Sequence, residues 1–133
     1  MLRTVAVRLR AELGPDDLLA RMGGEEFLVA VGDVDDTAAW RLAERLRRAI
    51  ADTPVTLPPQ TGARLARVAQ TASIGLAVAR PGPEGPGSGA GPDAADGPAA
   101  LLARADRALY AAKAQGRNRT VRARQGGSDT AAA

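Results

Sequence analysis

Six residues in this chain have types and spacings that could do chemistry. Gly23, Gly24, Glu25 and Glu26 stand together in RMGGEEFLVAV, and Lys113 and Arg117 lie four apart in YAAKAQGRN. A glycine pair at a turn can take positive φ and bring main-chain N–H groups close to a ligand with no Cβ in the way. Successive N–H groups in such a turn form a concavity suited to anions. Two glutamates beside a phosphate-sized gap would repel the ligand unless a divalent cation neutralised both, so the cluster implies metal and phosphate together. The plainer reading of Gly-Gly-Glu-Glu is a hairpin tip with two solvated acids. Lys113 and Arg117 could grip a polyphosphate, or they could simply favour the dipole at a helix C-terminus.

Composition narrows the chemistry. The 133 residues contain no cysteine and no histidine. This excludes thiolate zinc sites, imidazole ligands and Ser-His-Asp or Cys-His mechanisms. A metal must therefore be a hard ion on oxygen ligands, and magnesium is the first expectation. Of 18 basic residues all but Lys113 are arginine, against 15 acids, for a net charge of +3. With one Trp, one Tyr and one Phe there is no aromatic platform for single strands, so no nucleic-acid partner is expected. No apolar run reaches the roughly 18 residues that span a bilayer. With no secretory signal visible either, a cytoplasmic location is the default.

The elements that must position these residues can be read from periodicity. Residues 2–13 place Leu2, Val5, Leu9 and Leu13 at helical spacing, halted by Gly14-Pro15. That helix has no capping residue before its first turn. Residues 17–22 and 26–31 read as two strands of a hairpin, the second (FLVAV at its centre) apolar enough for burial on both faces. Asp33, Asp35, Asp36 and Thr37 supply the start of a second helix, which carries Ala39, Leu42, Leu46, Ala49 and Ile50 on one face and ends at Pro54. Residues 55–57 form a short strand and 64–79 a second long strand region, within which Ser73 and Gly75 suggest a close backbone approach or a bulge. In residues 81–98, eleven of 18 are Gly or Pro, which predicts a mobile loop. A third helix over 99–115 closes at Gly116, a last strand covers 118–121, and the final ten residues, 124–133, read as a disordered tail. Trp40 fits core or interface better than a ligand contact, and Asp106 with Arg107 fits a solvated helix face. The chain is one domain, residues 1–123, with an α/β layered architecture of helices on a mixed sheet.

Taken together, Arg21, Gly23-Gly24-Glu25-Glu26-Phe27, QTASIGLA at 70–77 and ADRALYAAKAQGRN at 105–118 resemble the GGDEF family of diguanylate cyclase domains over roughly residues 2–122. The resemblance implies a palm-like α/β (α+β) mixed sheet of the nucleotidyl-cyclase and polymerase type. It also implies condensation of two GTP into cyclic di-GMP with release of pyrophosphate, magnesium as cofactor, and a homodimer in which each domain holds one GTP. Glu25 would then bind metal and assist the attack, and Glu26 would orient the loop or touch a second metal. Gly23 and Gly24 would contact the nucleotide, and Lys113 and Arg117 would hold its terminal phosphates. A sensory domain upstream is expected in a full-length protein.

Two departures qualify these expectations. The family opens with a strand bearing Asp-x-Asp-x-Phe-Lys and a helix bearing Asn and Asp, whereas residues 2–13 match only the tail of that helix. The family's first strand is thus expected to be missing and the chain alone weak or inactive. A non-catalytic GTP-binding or dimerisation module is the alternative. The product-inhibition motif Arg-x-x-Asp is here Gly14-Pro15-Asp16-Asp17, lacking the guanidinium fork.

Overall fold

The computed structural model describes residues 1–59, 61–62, 64–79 and 97–124. The loop expected within 81–96 and the tail expected from 125 onward lie outside the described residues.

The elements run α1 (Leu2–Ala11), β1 (Leu18–Gly23), β2 (Glu26–Ala30), α2 (Asp36–Ala51), β3 (Val55–Leu57), β4 (Ala66–Val68), β5 (Ile74–Leu76), α3 (Pro98–Ala114) and β6 (Thr120–Arg122). Helix α1 has Met1 at its N-cap with no side-chain cap, as the sequence led us to expect, and stops at Ala11 rather than running to Leu13. Arg10 wraps over the exit: its guanidinium donates to the carbonyls of Gly14 (3.0 Å) and Asp17 (2.8 Å). Helix α2 starts where its acids foretold. The Asp35 carboxylate accepts from Ala38 N–H at 2.7 Å, satisfying one of the orphan donors of the first turn. Helix α3 begins with Gly97 at the N-cap and Pro98 in the first turn, where a missing N–H costs nothing. It therefore takes in the last residue assigned to the loop.

Among the described residues six strands form three two-stranded ladders: antiparallel β1–β2, antiparallel β3–β4 and parallel β5–β6. The sheet structure is mixed, as expected, but distributed among separate ladders. The long strand expected over 64–79 is two short strands in different ladders. The break falls across residues 69–73, where the chain leaves β3 and reaches β6. An apolar run fixes that a segment is extended but not which strand it will pair with.

The core joins the helices to two of these ladders. Leu9 of α1 with Leu46 and Ile50 of α2 form a buried cluster, and Leu19, Phe27, Val29 and Ile74 pack on it from β1, β2 and β5. Burying each such Leu or Ile is worth about 1.5–3 kcal/mol. Phe27, Leu28 and Val29 are half-buried rather than enclosed on both faces, because the cluster covers the hairpin on one side only. Arginines tie α1 to α2. Arg45 pairs with Glu12 at 2.9 Å, and Arg8 donates to the carbonyl oxygens of Thr53 and Pro54. Helix α3 packs on β5 and β6 through Ala108 and Ala112, both buried. Trp40 is not core, at 39% exposure, and Asp106 and Arg107 are exposed as expected. Among the described residues no helix is long and apolar enough to cross a membrane.

Candidate active site

The glycine-rich stretch is the tip of the β1–β2 hairpin. Gly23 pairs with Glu26, which leaves Gly24 and Glu25 as the two central residues. Both glycines have positive φ, 142° at Gly23 and 53° at Gly24. A positive φ at the first central position is where a II′ hairpin turn calls for glycine. A Cβ at either residue would meet nothing within 4 Å, so backbone conformation alone requires glycine here, not crowding. Arg21 locks the turn from below, its Nε and Nη2 donating to the Gly24 carbonyl at 3.1 and 2.9 Å. With that carbonyl occupied, the tip presents its outer edge to solvent. Glu25 sits at this apex, exposed, and its carboxylate has no hydrogen-bond or ion-pair partner among the described residues.

Glu26, the first residue of β2, turns toward α3. Its Oε1 lies 3.4 Å from Lys113 Nζ in a half-exposed ion pair. Residues 87 positions apart thus meet, and the chain's one lysine is brought to the hairpin. Glu25 belongs to the turn, whereas Glu26 belongs to the strand.

Lys113 and Arg117 do not share a helix face. Helix α3 ends in a Schellman motif, with Arg117 N–H bonded to the Ala112 carbonyl at 3.0 Å and Gly116 N–H to that of Lys113 at 3.4 Å. Lys113 is in the last turn and Arg117 lies past the cap. Three successive residues are left-handed: Gly116 (φ 112°), Arg117 (62°) and Asn118 (47°). For a residue with a Cβ that region costs roughly 1–2 kcal/mol, less for Asn. Arg117 is exposed, and its guanidinium makes no hydrogen bond or ion pair with the described residues.

Sequence reasoning passed over a second constellation beside this bend. Arg47 of α2 donates from Nε and Nη2 to both oxygens of Glu44 (3.0 and 2.9 Å) and from Nη1 to Asn118 Oδ1 (2.9 Å). The Glu44 carboxyl is held below its ordinary range chiefly by that fork, against the opposing effect of burial. The buried Thr120 hydroxyl makes no well-formed hydrogen bond but lies close enough to lower Glu44 further. The i, i+3 spacing of Glu44 and Arg47 was visible in the sequence. Their link to Asn118 was not.

Asp17 of the stretch Gly14-Pro15-Asp16-Asp17 is engaged internally. Asp17 Oδ2 accepts from Gly14 N–H at 2.7 Å and so serves the turn after α1. A cleft of about 420 Å³ lies beside the hairpin, lined by Leu2, Arg3, Ala6, Leu19, Arg21 and Phe27.

As a metal site the hairpin offers hard carboxylate oxygens. Among the described residues no group of three or more acids could hold an ion by itself. Such a donor set fits magnesium of the kind that keeps several waters and binds through one or two carboxylates plus substrate phosphates. Glu25 would be such a carboxylate, Glu26 being engaged by Lys113.

A profile described as "Diguanylate cyclase, GGDEF domain" matches residues 1–119. The response regulator PleD of Caulobacter vibrioides is 39% identical over 121 residues, which is 91% of this chain and 23% of PleD. The probable diguanylate cyclase DgcT of Escherichia coli is 37% identical over 125 residues, again 91% of this chain and 23% of the relative. This chain thus spans about a quarter of the length of these curated relatives. Among solved structures, the GGDEF domain of TpbB from Pseudomonas aeruginosa superimposes with a TM-score of 0.69 at 32% identity, covering 92% of this chain and 66% of that one.

Proposed function

Because the chain belongs to the GGDEF family of diguanylate cyclase domains, we propose that it serves the condensation of two GTP into cyclic di-GMP, with its hairpin tip and the end of α3 as the two jaws of the nucleotide site. The observation that carries this reading is the approach of Lys113 to Glu26. It puts a cation suited to phosphate oxygens beside a turn of positive-φ glycines, next to a carboxylate, Glu25, that has no partner among the described residues.

In this reading the N–H groups around Gly23 and Gly24 face the phosphates, and Lys113 and Arg117 hold the β- and γ-phosphates. Magnesium, when bound, neutralises the phosphates and polarises the α-phosphate. The 3′-hydroxyl of each ribose attacks the α-phosphorus of the other nucleotide. At each of the two centres a new 3′-O–P bond forms, the bond to the β-phosphate oxygen breaks, and one pyrophosphate leaves with its electron pair, so the ring closes with release of two. Glu25, at the apex, would hold the metal and accept the hydroxyl proton. Glu26 orients the loop through its pairing with Lys113. Each domain presents one nucleotide, so catalysis needs a second copy face to face. The reading implies a cytoplasmic location, where GTP is held, and control by a sensory domain elsewhere in the full-length protein.

The experiment is incubation of the chain with GTP and magnesium, with chromatographic separation of products. Cyclic di-GMP and pyrophosphate that disappear in Glu25→Ala support the enzyme. The small donor set, two neighbouring carboxylates, favours a second reading: a module that binds GTP or pairs with its like without turning GTP over. GTP binding with no product, seen by calorimetry, would select that reading. No binding at all would overturn both.

A further inference from the structure

The left-handed run at residues 116–118 raises the question of what holds an arginine there. Glycine enters the region freely and asparagine readily, but Arg117 does so only when its surroundings impose it. The Schellman bonds fix Gly116 and the Arg117 N–H. Beyond them the bend is gripped by two arginines. Arg119 Nε donates to the Arg117 carbonyl at 3.1 Å, and Arg47 Nη1 donates to Asn118 Oδ1 at 2.9 Å from a different element. Arg47 is itself held in place, because its other edge makes a two-point fork with Glu44 and the pair is largely covered, at 17% and 23% side-chain exposure. A planar guanidinium can make the fork and still offer a third donor; a lysine ammonium cannot match that geometry. The guanidinium of Arg117 meanwhile has no partner among the described residues. The chain is pinned on both sides of one unengaged cation.

We propose that Arg47 is a positioning residue: locked by Glu44 and bonded to Asn118, it holds the 116–118 bend so that Arg117 is presented ready-placed to the terminal phosphates of the nucleotide. This deepens the reading of Lys113 and Arg117 as the phosphate grip and rests on it. Its physical content is preorganisation. If the bend is not held in the free protein, the cost of ordering it falls due at binding and affinity drops accordingly.

The test is calorimetry of the chain with magnesium and either GTP or GMP, the latter lacking the phosphates that Arg117 would reach. Arg117→Ala should lose about tenfold or more in GTP affinity, as expected for a charge-assisted contact, and leave GMP unchanged. Arg47→Met and Asn118→Gly should each lose about fivefold for GTP and stay within about twofold for GMP. Asn118→Asp should remain near the parent, since it keeps an acceptor for Arg47 Nη1 and tolerates the left-handed region. Asn118→Gly stands on an exposed turn and carries the test alone if Arg47→Met, which strands Glu44, fails to melt cooperatively. Unchanged GTP affinity in Arg47→Met and Asn118→Gly, with a loss in Arg117→Ala, overturns the positioning role and leaves the phosphate grip standing. Equal losses for GTP and GMP overturn it too, because general loosening does that. Full GTP affinity in Arg117→Ala overturns the phosphate grip itself.

Discussion

Gly75→Ala should be among the most damaging single-atom additions to this domain. Gly75 is the middle residue of β5, the strand against which α3 packs. A Cβ there would fall 2.1 Å from the Ala105 carbonyl oxygen, 2.3 Å from Leu109 N and 2.8 Å from Leu109 Cα. All three are backbone atoms, so no rotamer change relieves them. Carbon and carbonyl oxygen approach to about 3.3 Å at closest, so strand and helix must part by about 1 Å. Overpacking ordinarily costs 1–3 kcal/mol, and three hard contacts put this one at about 3 kcal/mol. At about 4 °C per kcal/mol for a domain of this size, the melting midpoint should fall by about 12 °C. The same displacement moves Lys113 against Glu26, whose separation is 3.4 Å, and shifts of about 1 Å in a site can cost 100-fold in rate. The assay is a circular-dichroism melt, with GTP affinity measured alongside. Gly32→Ala is the control, since a Cβ there meets nothing within 4 Å and its φ lies outside the strained region. It should be neutral or stabilising by up to about 1 kcal/mol. A Gly75→Ala protein melting within about 2 °C of its parent would show that strand and helix do not lie this close in solution, and would refute the reasoning.

Three further outcomes are expected. Gly24→Ala should cost about 1–2 kcal/mol from φ alone, and Gly24→Asn less, with GTP affinity falling in the same order; equal melts for all three proteins would contradict a conformational role for the glycine. Because the Glu44 carboxyl is lowered in the folded chain, its contribution to stability is complete above its ordinary value of 4.5 and is lost as the pH falls through the depressed one. Glu44→Gln should therefore flatten that part of an acid denaturation curve and leave the neutral-pH side unaffected in slope. Glu26→Gln should change stability by less than about 0.5 kcal/mol, since a half-exposed pair at 3.4 Å is worth little, so a large loss in its GTP affinity would report on the site and not on folding.

Local chemistry made much of this domain legible before any coordinates. Asp35 announced the start of α2, Gly116 the end of α3, and the glycine pair the hairpin, because caps and turns draw on residues close in sequence. Gly75 was legible in kind, since a glycine inside an apolar strand marks a close approach, but the helix that comes so near could not be named. Residues 64–79 were misread as one strand because both pieces are extended and partly apolar; only their partners, β3 and β6, distinguish them.

By itself, then, the sequence determined the three helices, the hairpin with its two glutamates, the membership signalled by that signature, and the exclusion of thiol and imidazole chemistry. Tertiary structure alone decided that Lys113 stands at Glu26 and that Arg47 reaches Asn118 across 71 residues. Periodicity and capping are short-range properties of a chain, whereas these encounters arise only when helices and ladders pack on a shared core, a condition set by all the contacts at once.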